Sequence, residues 1–151
     1  ARSALCVDGS APALELATAG AQAAGFTAFD TRRGDAFDTL AALQGEGAQF
    51  DLVICDPPAF APNKQALDAG LRAYERVARM AAPLVREGGT MVLCSCSHAA
   101  DLTRFHQACT RGIGRAGRQG ALVHTGFAGP DHPQHPMLAE TGYLKALVFA
   151  L

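Results

Sequence analysis

The sequence lacks long apolar runs and an excess of charge of either sign. No apolar stretch approaches the roughly 20 residues that a helix needs to cross a bilayer, so we expect no membrane span. No basic segment followed by an apolar one stands at its start, which argues against a secretory signal. The formal net charge of −1 does not indicate a nucleic-acid partner, although a local basic surface could provide one.

The sequence also lacks the cysteine spacing of disulfide-rich or zinc-binding proteins. Its five cysteines are odd in number and contain no C-x-x-C pair, and three of them lie within apolar runs. Such thiols are typical of a reducing compartment, so we expect a cytoplasmic protein. The loop 131–136 contains two histidines, but a third ligand would have to come from elsewhere, so we expect a substrate-side loop and no metal site.

The composition and the hydrophobic patterns predict one α/β domain. Of the 151 residues, 49% are hydrophobic and 18% are charged, which suits a globular chain with a real core. Strand-like apolar runs alternate with segments of helical period, which predicts a parallel sheet with helices on both faces. The last two strands have no helix between them and should be antiparallel. Strands are predicted at 4–7, 26–31, 50–55, 91–94, 121–125 and 143–150, and helices at 11–24, 36–44, 65–85 and 100–112.

Carboxylates follow several of these strands. Ligands bind beyond the carboxyl ends of strands in open α/β sheets, so Asp8, Asp35 and Asp56 are candidate site residues. Asp8 could accept hydrogen bonds from a ribose diol, or it could simply end the strand and cap a helix. Asp35 could accept from an exocyclic amine, and a helix cap explains it equally well.

The segment Asp56-Pro57-Pro58-Ala59-Phe60 is more specific. Two prolines after a buried strand prevent further ladder bonds and fix an extended backbone. The result is a rigid rim that carries one carboxylate and one aromatic ring. An ordinary turn does not explain an aspartate directly after four apolar residues, so we favour a functional role.

The next strand breaks off into Cys94-Ser95-Cys96-Ser97-His98. Cys94 falls within the apolar run and is expected to be a small core residue, whereas Cys96 lies just past the strand, where a reactive thiol could meet a ligand. The segment 112–117 also matches G-x-G-x-x-G. Because it ends a helix instead of following a strand, it predicts a helix cap and turn and not a nucleotide loop.

Together these motifs resemble the catalytic domain of class I S-adenosylmethionine-dependent methyltransferases. More narrowly, the chain is similar to the bacterial large-subunit ribosomal RNA cytosine-5 methyltransferases. The resemblance implies a Rossmann-like sheet, mostly parallel with an antiparallel C-terminal strand pair. The matching segments, in the order of that family, are ALCVDGSAPALELA, RGDAFDTL, FDLVICDPPAFAPNK, EGGTMVLCSCS, DHP and GYLKALVF.

The resemblance also implies residue roles. Asp8 would hold the ribose hydroxyls of S-adenosylmethionine, and Asp35 with Ala36 would approach its adenine. Asp56 would lie next to the methyl group and the target base. Cys96 would be the nucleophile that adds to C6 of cytosine. The substrate RNA would meet a group of residues on the loop after the third strand, namely Pro57, Pro58, Phe60 and Lys64. For Lys64, a solvated surface position is the default explanation and contact with an RNA phosphate is the alternative.

Two parts of the family's pattern are not in this chain. They are the glycine-rich loop on the first, central strand and a small N-terminal RNA-binding domain, so residues 1–151 would form the C-terminal part of a methyltransferase domain. A homodimer is an open option for its assembly. Two alternatives stay open: methylation of a guanine or adenine amino group, with Cys96 incidental, and a non-catalytic RNA-binding module. The base that removes the C5 proton is also open between Ser97, His98 and a water chain.

Overall fold

The computed structural model describes residues 1–138 and 141–151, which divide into two compact units, Ala1–Glu46 and Gly47–Leu151. In the first unit the order is β1 (Ala4–Asp8), α1 (Ala11–Ala23), β2 (Phe29–Arg33) and α2 (Ala36–Gly45). The two strands pair in parallel, with Cys6 opposite Thr31. This is one β-α-β repeat followed by a helix, as the alternating pattern predicts.

Local signals fix the helix ends of the first unit. The Ser10 hydroxyl accepts from the N–H of Ala13 at the start of α1, and Gly25 follows the helix with φ of 71°. The N–H of Phe26 donates to the Ala21 carbonyl at 2.9 Å, so Phe26 belongs to the C-terminal cap of α1 and not to a strand. The predicted second strand, 26–31, is therefore displaced. It begins at Phe29 and runs through Arg33.

The described residues of the second unit form four strands, two α-helices and a 3₁₀ turn. Its elements are β3 (Phe50–Cys55), α3 (Leu67–Ala81), a 3₁₀ turn (Ala82–Leu84), β4 (Val85–Ser95), α4 (Leu102–Arg115), β5 (Ala121–Phe127) and β6 (Lys145–Ala150). The strand order is β3-β4-β6-β5, in which β3 and β4 are parallel and β6 is antiparallel to both neighbours. The predicted Rossmann-like α/β class and the antiparallel final pair are confirmed.

The sequence has a Gly88-Gly89 pair between the predicted helix 65–85 and the predicted strand 91–94, where a turn is expected, and the structure differs there. The helical pattern of 65–85 ends at Ala81, because the 3₁₀ turn contains Pro83 and β4 begins at Val85. The glycine pair does not separate two elements but forms a bulge inside β4, with a φ of 73° at Gly88. The C-terminal residue holds the bulge, since the Gly88 N–H donates to the Leu151 carbonyl and the Leu151 N–H donates to the Gly89 carbonyl.

The core of the second unit contains the facing sides of α3 and α4 together with buried side chains of β4 and β6. A Cβ atom at Gly112 would lie 2.3 Å from the Glu75 carbonyl oxygen, so the helices approach closely at a point where only glycine fits. Glu75 also forms ion pairs with Arg111 and Arg115. The largest side chains of this core are Tyr74, Leu84, Met91, Phe105, Leu147 and Phe149.

Candidate active site

Side chains at the end of β4 alternate between the interior and the surface. Ser95 and Ser97 are 1% and 0% exposed, whereas Cys94 and Cys96 are half-buried and His98 is exposed. This alternation is the period of two that an extended backbone imposes. It turns both serines into the core and turns Cys96 towards the outer side.

The inward serines take part in a buried hydroxyl network, which consists of Tyr74, Ser95 and Ser97. Ser95 Oγ donates to the Tyr74 hydroxyl at 2.9 Å, and the Tyr74 oxygen lies 2.8 Å from Ser97 Oγ. The N–H of Ser97 donates to Ser95 Oγ at 3.2 Å. Every buried hydroxyl in this group therefore has a partner, which removes the cost of burying it.

The same network holds the loop that follows β3. The N–H of Ala61 donates to Ser97 Oγ at 2.9 Å, and the N–H of Ala99 donates to the Ala61 carbonyl at 3.3 Å. The Phe60 ring packs edge-on against Tyr74, with 5.0 Å between ring centroids. The loop that begins at Asp56 is thus hydrogen-bonded directly to the segment that carries Cys96, and Tyr74 contacts both.

Within this loop the predicted site residues differ in exposure. Asp56 and Pro58 are exposed, and Pro57 and Phe60 are half-buried. Lys64 is exposed just before α3. Asp56 is thus exposed directly after β3, and the Phe60 ring packs against Tyr74. A role of this loop in ligand binding stays a prediction.

Burial raises the pKa of three thiols of the second unit. It raises the pKa of Cys55 to about 12 and also raises the pKa of Cys109, which lies in the core. Burial and the Asp56 carboxylate together raise the pKa of Cys94. These three thiols stay protonated near neutral pH and are poor nucleophiles. Cys94 is half-buried and not the full core residue that the sequence suggests.

The structure narrows the choice of a proton-abstracting base. Ser97 is fully buried and bound to Tyr74 and to the backbone of Ala61, so it is not available. His98 is exposed, and its ring lies 4.6 Å from that of Tyr143 at an interplanar angle of 31°. The Tyr143 hydroxyl in turn lies 3.2 Å from Nε2 of His132. Of the two side chains, His98 is therefore the accessible candidate, and a water chain stays open as the alternative.

In the first unit, Asp8 and Asp35 both lie at the carboxyl end of the β1–β2 pair. Asp8 Oδ1 accepts from the Ser10 N–H at 2.7 Å, and the Gly34 N–H donates to the Asp8 carbonyl at 3.1 Å. Asp35 Oδ1 caps α2, where Ala36 is the exposed first residue. The capping explanation of Asp35 is thus confirmed. Each exposed carboxylate still has a second oxygen that can accept from ligand hydroxyl or amino groups.

Sequence reasoning missed the hydroxyl network. In the sequence, Tyr74 follows Leu67 and Leu71 at helical spacing, which predicts only an apolar helix face, and the two serines lie between cysteines that are the more evident candidates. The one available signal was a pair of serines at the inward positions of a buried strand, which requires a polar partner. Within residues 1–138 and 141–151 there is no cluster of three or more potential metal ligands, and no helix is long and apolar enough to span a membrane.

No family model matches this chain, but it shares sequence with curated relatives, two of which are described here. The chain is 35% identical over 117 residues to a ribosomal RNA large subunit methyltransferase from Deinococcus radiodurans, which covers 78% of this chain and 28% of the relative. It is 33% identical over 142 residues to the ribosomal RNA large subunit methyltransferase I from Vibrio cholerae, which covers 91% of this chain and 36% of the relative. The chain thus spans about a third of the relatives it matches.

Solved methyltransferase structures share its fold. The crystal structure of one methyltransferase complexed with SAH matches 99% of this chain and 39% of its own, with a TM-score of 0.82 at 18% identity. A SAM-dependent methyltransferase from Streptococcus mutans gives a TM-score of 0.82 at 16% identity, over 99% of this chain and 38% of its own. At these identities the likeness establishes the Rossmann-like fold of methyltransferases.

Proposed function

We propose that this chain is the catalytic part of an S-adenosylmethionine-dependent RNA methyltransferase that methylates C5 of a cytosine in large-subunit ribosomal RNA. The sequence similarity to two large-subunit ribosomal RNA methyltransferases and the shared fold support the reaction class. One observation carries the choice of cytosine C5. Cys96 is a half-buried thiol directly after β4, and Ser97, the next residue, is hydrogen-bonded to the loop that begins at Asp56.

The first unit suits the nucleoside part of the cofactor. Asp8 and Asp35 present carboxylate oxygens at the end of a parallel strand pair, and a ribose diol and an adenine amino group offer the hydrogens they need. Asp8 would hold the ribose, while Asp35 and Ala36 would contact the adenine. When bound, S-adenosylmethionine supplies an electrophilic methyl group to the target atom.

The role of Cys96 follows from the chemistry of cytosine. C5 is a weak nucleophile, and addition of a thiolate at C6 forms a C–S bond that moves ring electrons onto C5. Once C5 carries the methyl group, a base removes the C5 proton. Its bonding electrons restore the ring double bond as the C6–S bond breaks and the thiolate is released. Cys96 is therefore regenerated, and His98 is the accessible side chain that could take the proton.

The loop after β3 would hold the target base. The Asp56 carboxyl group can donate to or accept from the ring edge near N3 during addition. Pro57 and Pro58 fix the backbone of this rim, and the exposed Lys64 suits contact with an RNA phosphate. The Phe60 ring, which packs against Tyr74, would contact the base.

A nucleoside analysis tests this assignment. The intact protein is incubated with large-subunit RNA and methyl-labelled S-adenosylmethionine, and the digested RNA is resolved by mass spectrometry. We expect 5-methylcytidine, its loss in Cys96→Ala, and its retention in the control Cys94→Ala. An N-methylated purine that persists in Cys96→Ala would replace this proposal with amino-group methylation. No methylation together with no SAH binding would instead indicate a non-catalytic RNA-binding module.

A further inference from the structure

Three aromatic rings meet next to the segment that carries Cys96. The ring centroids of His98 and Tyr143 lie 4.6 Å apart, at an interplanar angle of 31°. The His132 ring meets Tyr143 edge-on at 5.7 Å, and His132 Nε2 lies 3.2 Å from the Tyr143 hydroxyl. These three residues, the ring cluster, join the loop 131–136 to the residues just after Cys96.

A buried lysine links the backbone segments of two members of the ring cluster. Lys145 is the first residue of β6 and is 8% exposed. Its Nζ donates to the carbonyl of Tyr143 and to that of Ser97, the residue before His98, both at 2.9 Å. The His98 and Tyr143 rings are thus brought together by a link between their backbones, and their arrangement does not depend on surface contacts alone.

The ring cluster lies at the surface. His98 and His132 are exposed, and Tyr143 is half-buried. Aromatic side chains contribute most to stability when their large area is removed from water, and the two histidines keep much of theirs in contact with it. Rings that are fixed in place and still open to water can receive a flat ligand on their faces.

A nucleobase is the flat ligand that these rings suit best. Nucleobases stack on tyrosine and histidine rings, and stacking strengthens binding for any base. The hydroxyl group and the ring nitrogens at the edges of the cluster are polar, which suits a heterocycle with polar edges better than the apolar surface of a protein partner. The similarity to large-subunit ribosomal RNA methyltransferases makes RNA the expected source of such a base.

We propose that the ring cluster is a stacking surface for an unpaired base of the substrate RNA, next to the nucleotide that reaches Cys96. That the substrate is RNA rests on the function proposed above. The surface gives the loop 131–136 the substrate-side position that the sequence predicts. Stacking uses the ring faces, whereas proton transfer uses a nitrogen at the ring edge, so His98 can serve the cluster and also take the C5 proton.

RNA binding by the intact protein tests the proposal. The probe is a fluorescein-labelled single-stranded RNA of about 12 nucleotides with one cytosine, because stacking tolerates any sequence. Fluorescence anisotropy gives its Kd. In Tyr143→Ala we expect Kd to rise about five- to hundredfold, because the stacked base loses its ring. Tyr143→Phe keeps the ring and should bind like the wild type.

A matched pair of histidine variants locates the surface. His132→Ala removes the edge-on ring and should weaken binding, whereas His124→Ala, at an exposed position of β5 outside the cluster, should not. Circular dichroism identifies any variant that fails to fold, and Tyr143→Leu, which fills the position without a ring, replaces Tyr143→Ala in that case. Unchanged affinity in the folded ring-less variant overturns the proposal, as do equal losses in the two histidine variants.

Abasic RNA shows whether the Tyr143 ring meets a base. Probes that lack one base are prepared for each nucleotide flanking the cytosine. At one of these positions the wild type should bind the abasic probe about as weakly as Tyr143→Ala binds the complete one, and Tyr143→Ala should lose little more. Losses that add at every position overturn the proposal.

The same variants separate the stacking surface from the proposed function. A probe bound through Tyr143 by a protein that makes no 5-methylcytidine overturns only the proposed function. Formation of 5-methylcytidine by the wild type, with unchanged RNA affinity in Tyr143→Ala, overturns only the stacking surface.

Discussion

The hydroxyl oxygen of Tyr74 lies 2.8 Å from Oγ of Ser97, and this contact joins the middle of α3 to the residue directly after Cys96. Ser95, on the other side of Cys96, donates to the same tyrosine. Because both neighbours of Cys96 are fixed inward, the thiol is fixed outward. The orientation of the proposed nucleophile is thus determined by a buried polar contact and not by the thiol itself.

Removal of the Tyr74 hydroxyl should destabilise the second unit. In Tyr74→Phe the buried hydroxyls of Ser95 and Ser97 lose a shared partner, which costs about 1–3 kcal/mol of the free energy of unfolding. Urea denaturation measures the change. Tyr143→Phe is the control, since its hydroxyl contacts only the exposed His132 in the described part of the chain, and a change below about 0.5 kcal/mol is expected. Equal effects of the two substitutions would contradict the role of the network.

The close approach of α3 and α4 gives a second test. In Gly112→Ala the new methyl group would meet the Glu75 carbonyl at 2.3 Å, so the helices must separate, at a cost of about 1–3 kcal/mol. Gly114 lies in the same helix, and a methyl group added there would meet nothing within 4 Å, so Gly114→Ala should stabilise by up to about 1 kcal/mol. Thermal denaturation of the pair checks the opposite signs. A stabilising Gly112→Ala would refute this packing.

Alkaline pH should weaken the fold through its buried thiols. An unfolded cysteine ionises near pH 9.0, whereas Cys55 in the folded protein does so near 12, so its contribution to stability is complete below pH 9 and is lost as the pH rises towards 12. For Cys55 alone the loss amounts to about 2 kcal/mol by roughly pH 10.5. Unfolding in urea at pH 7 and 10.5 measures it, with Cys55→Ser as the comparison. The two proteins should lose stability by different amounts, and identical losses would contradict the burial of this thiol.

The cofactor assignment predicts a loss of affinity in Asp8→Asn. The substitution removes a charged acceptor, which weakens hydrogen bonds to ribose hydroxyls by about 1.5–3 kcal/mol, or roughly tenfold or more in Kd. Isothermal titration of the intact protein with SAH measures the change. Asp30→Asn, at an exposed position of β2, serves as the control and should bind like the wild type. Unchanged affinity in Asp8→Asn would remove Asp8 from the proposed site.

Local signals predicted most of the elements. The Ser10 cap, the Asp35 cap and the stop at Asp56 each depend on a few adjacent residues, and their elements begin or end close to the predicted positions. The bulge at Gly88 depends on Leu151, which is distant in sequence, at the last position of the second unit. No local pattern could distinguish it from the turn that Gly-Gly ordinarily forms.

Only the candidate site residues that local signals mark could be predicted from the sequence. The exposed carboxylates and Cys96 stand at strand ends, which can be located from hydrophobic runs alone. Tyr74 and Lys145 act on the Cys96 segment from 22 or more residues away in the sequence, through contacts that only the folded chain creates. A buried lysine in a strand carries no sequence signal of its own, because strands also place lysine on their exposed faces.

The most direct test of the account is covalent capture of the target base. When fluorine replaces the hydrogen at C5 of cytosine, a base has no C5 proton to remove, so the bond between C6 and sulfur cannot break. In the presence of S-adenosylmethionine, an RNA containing 5-fluorocytosine should therefore trap the intact protein with Cys96 bonded to C6. We predict an adduct that survives denaturation, maps to Cys96, is absent in Cys96→Ala and is retained in Cys94→Ala. An adduct that persists in Cys96→Ala, or RNA cytosine methylation without any adduct, would contradict the account.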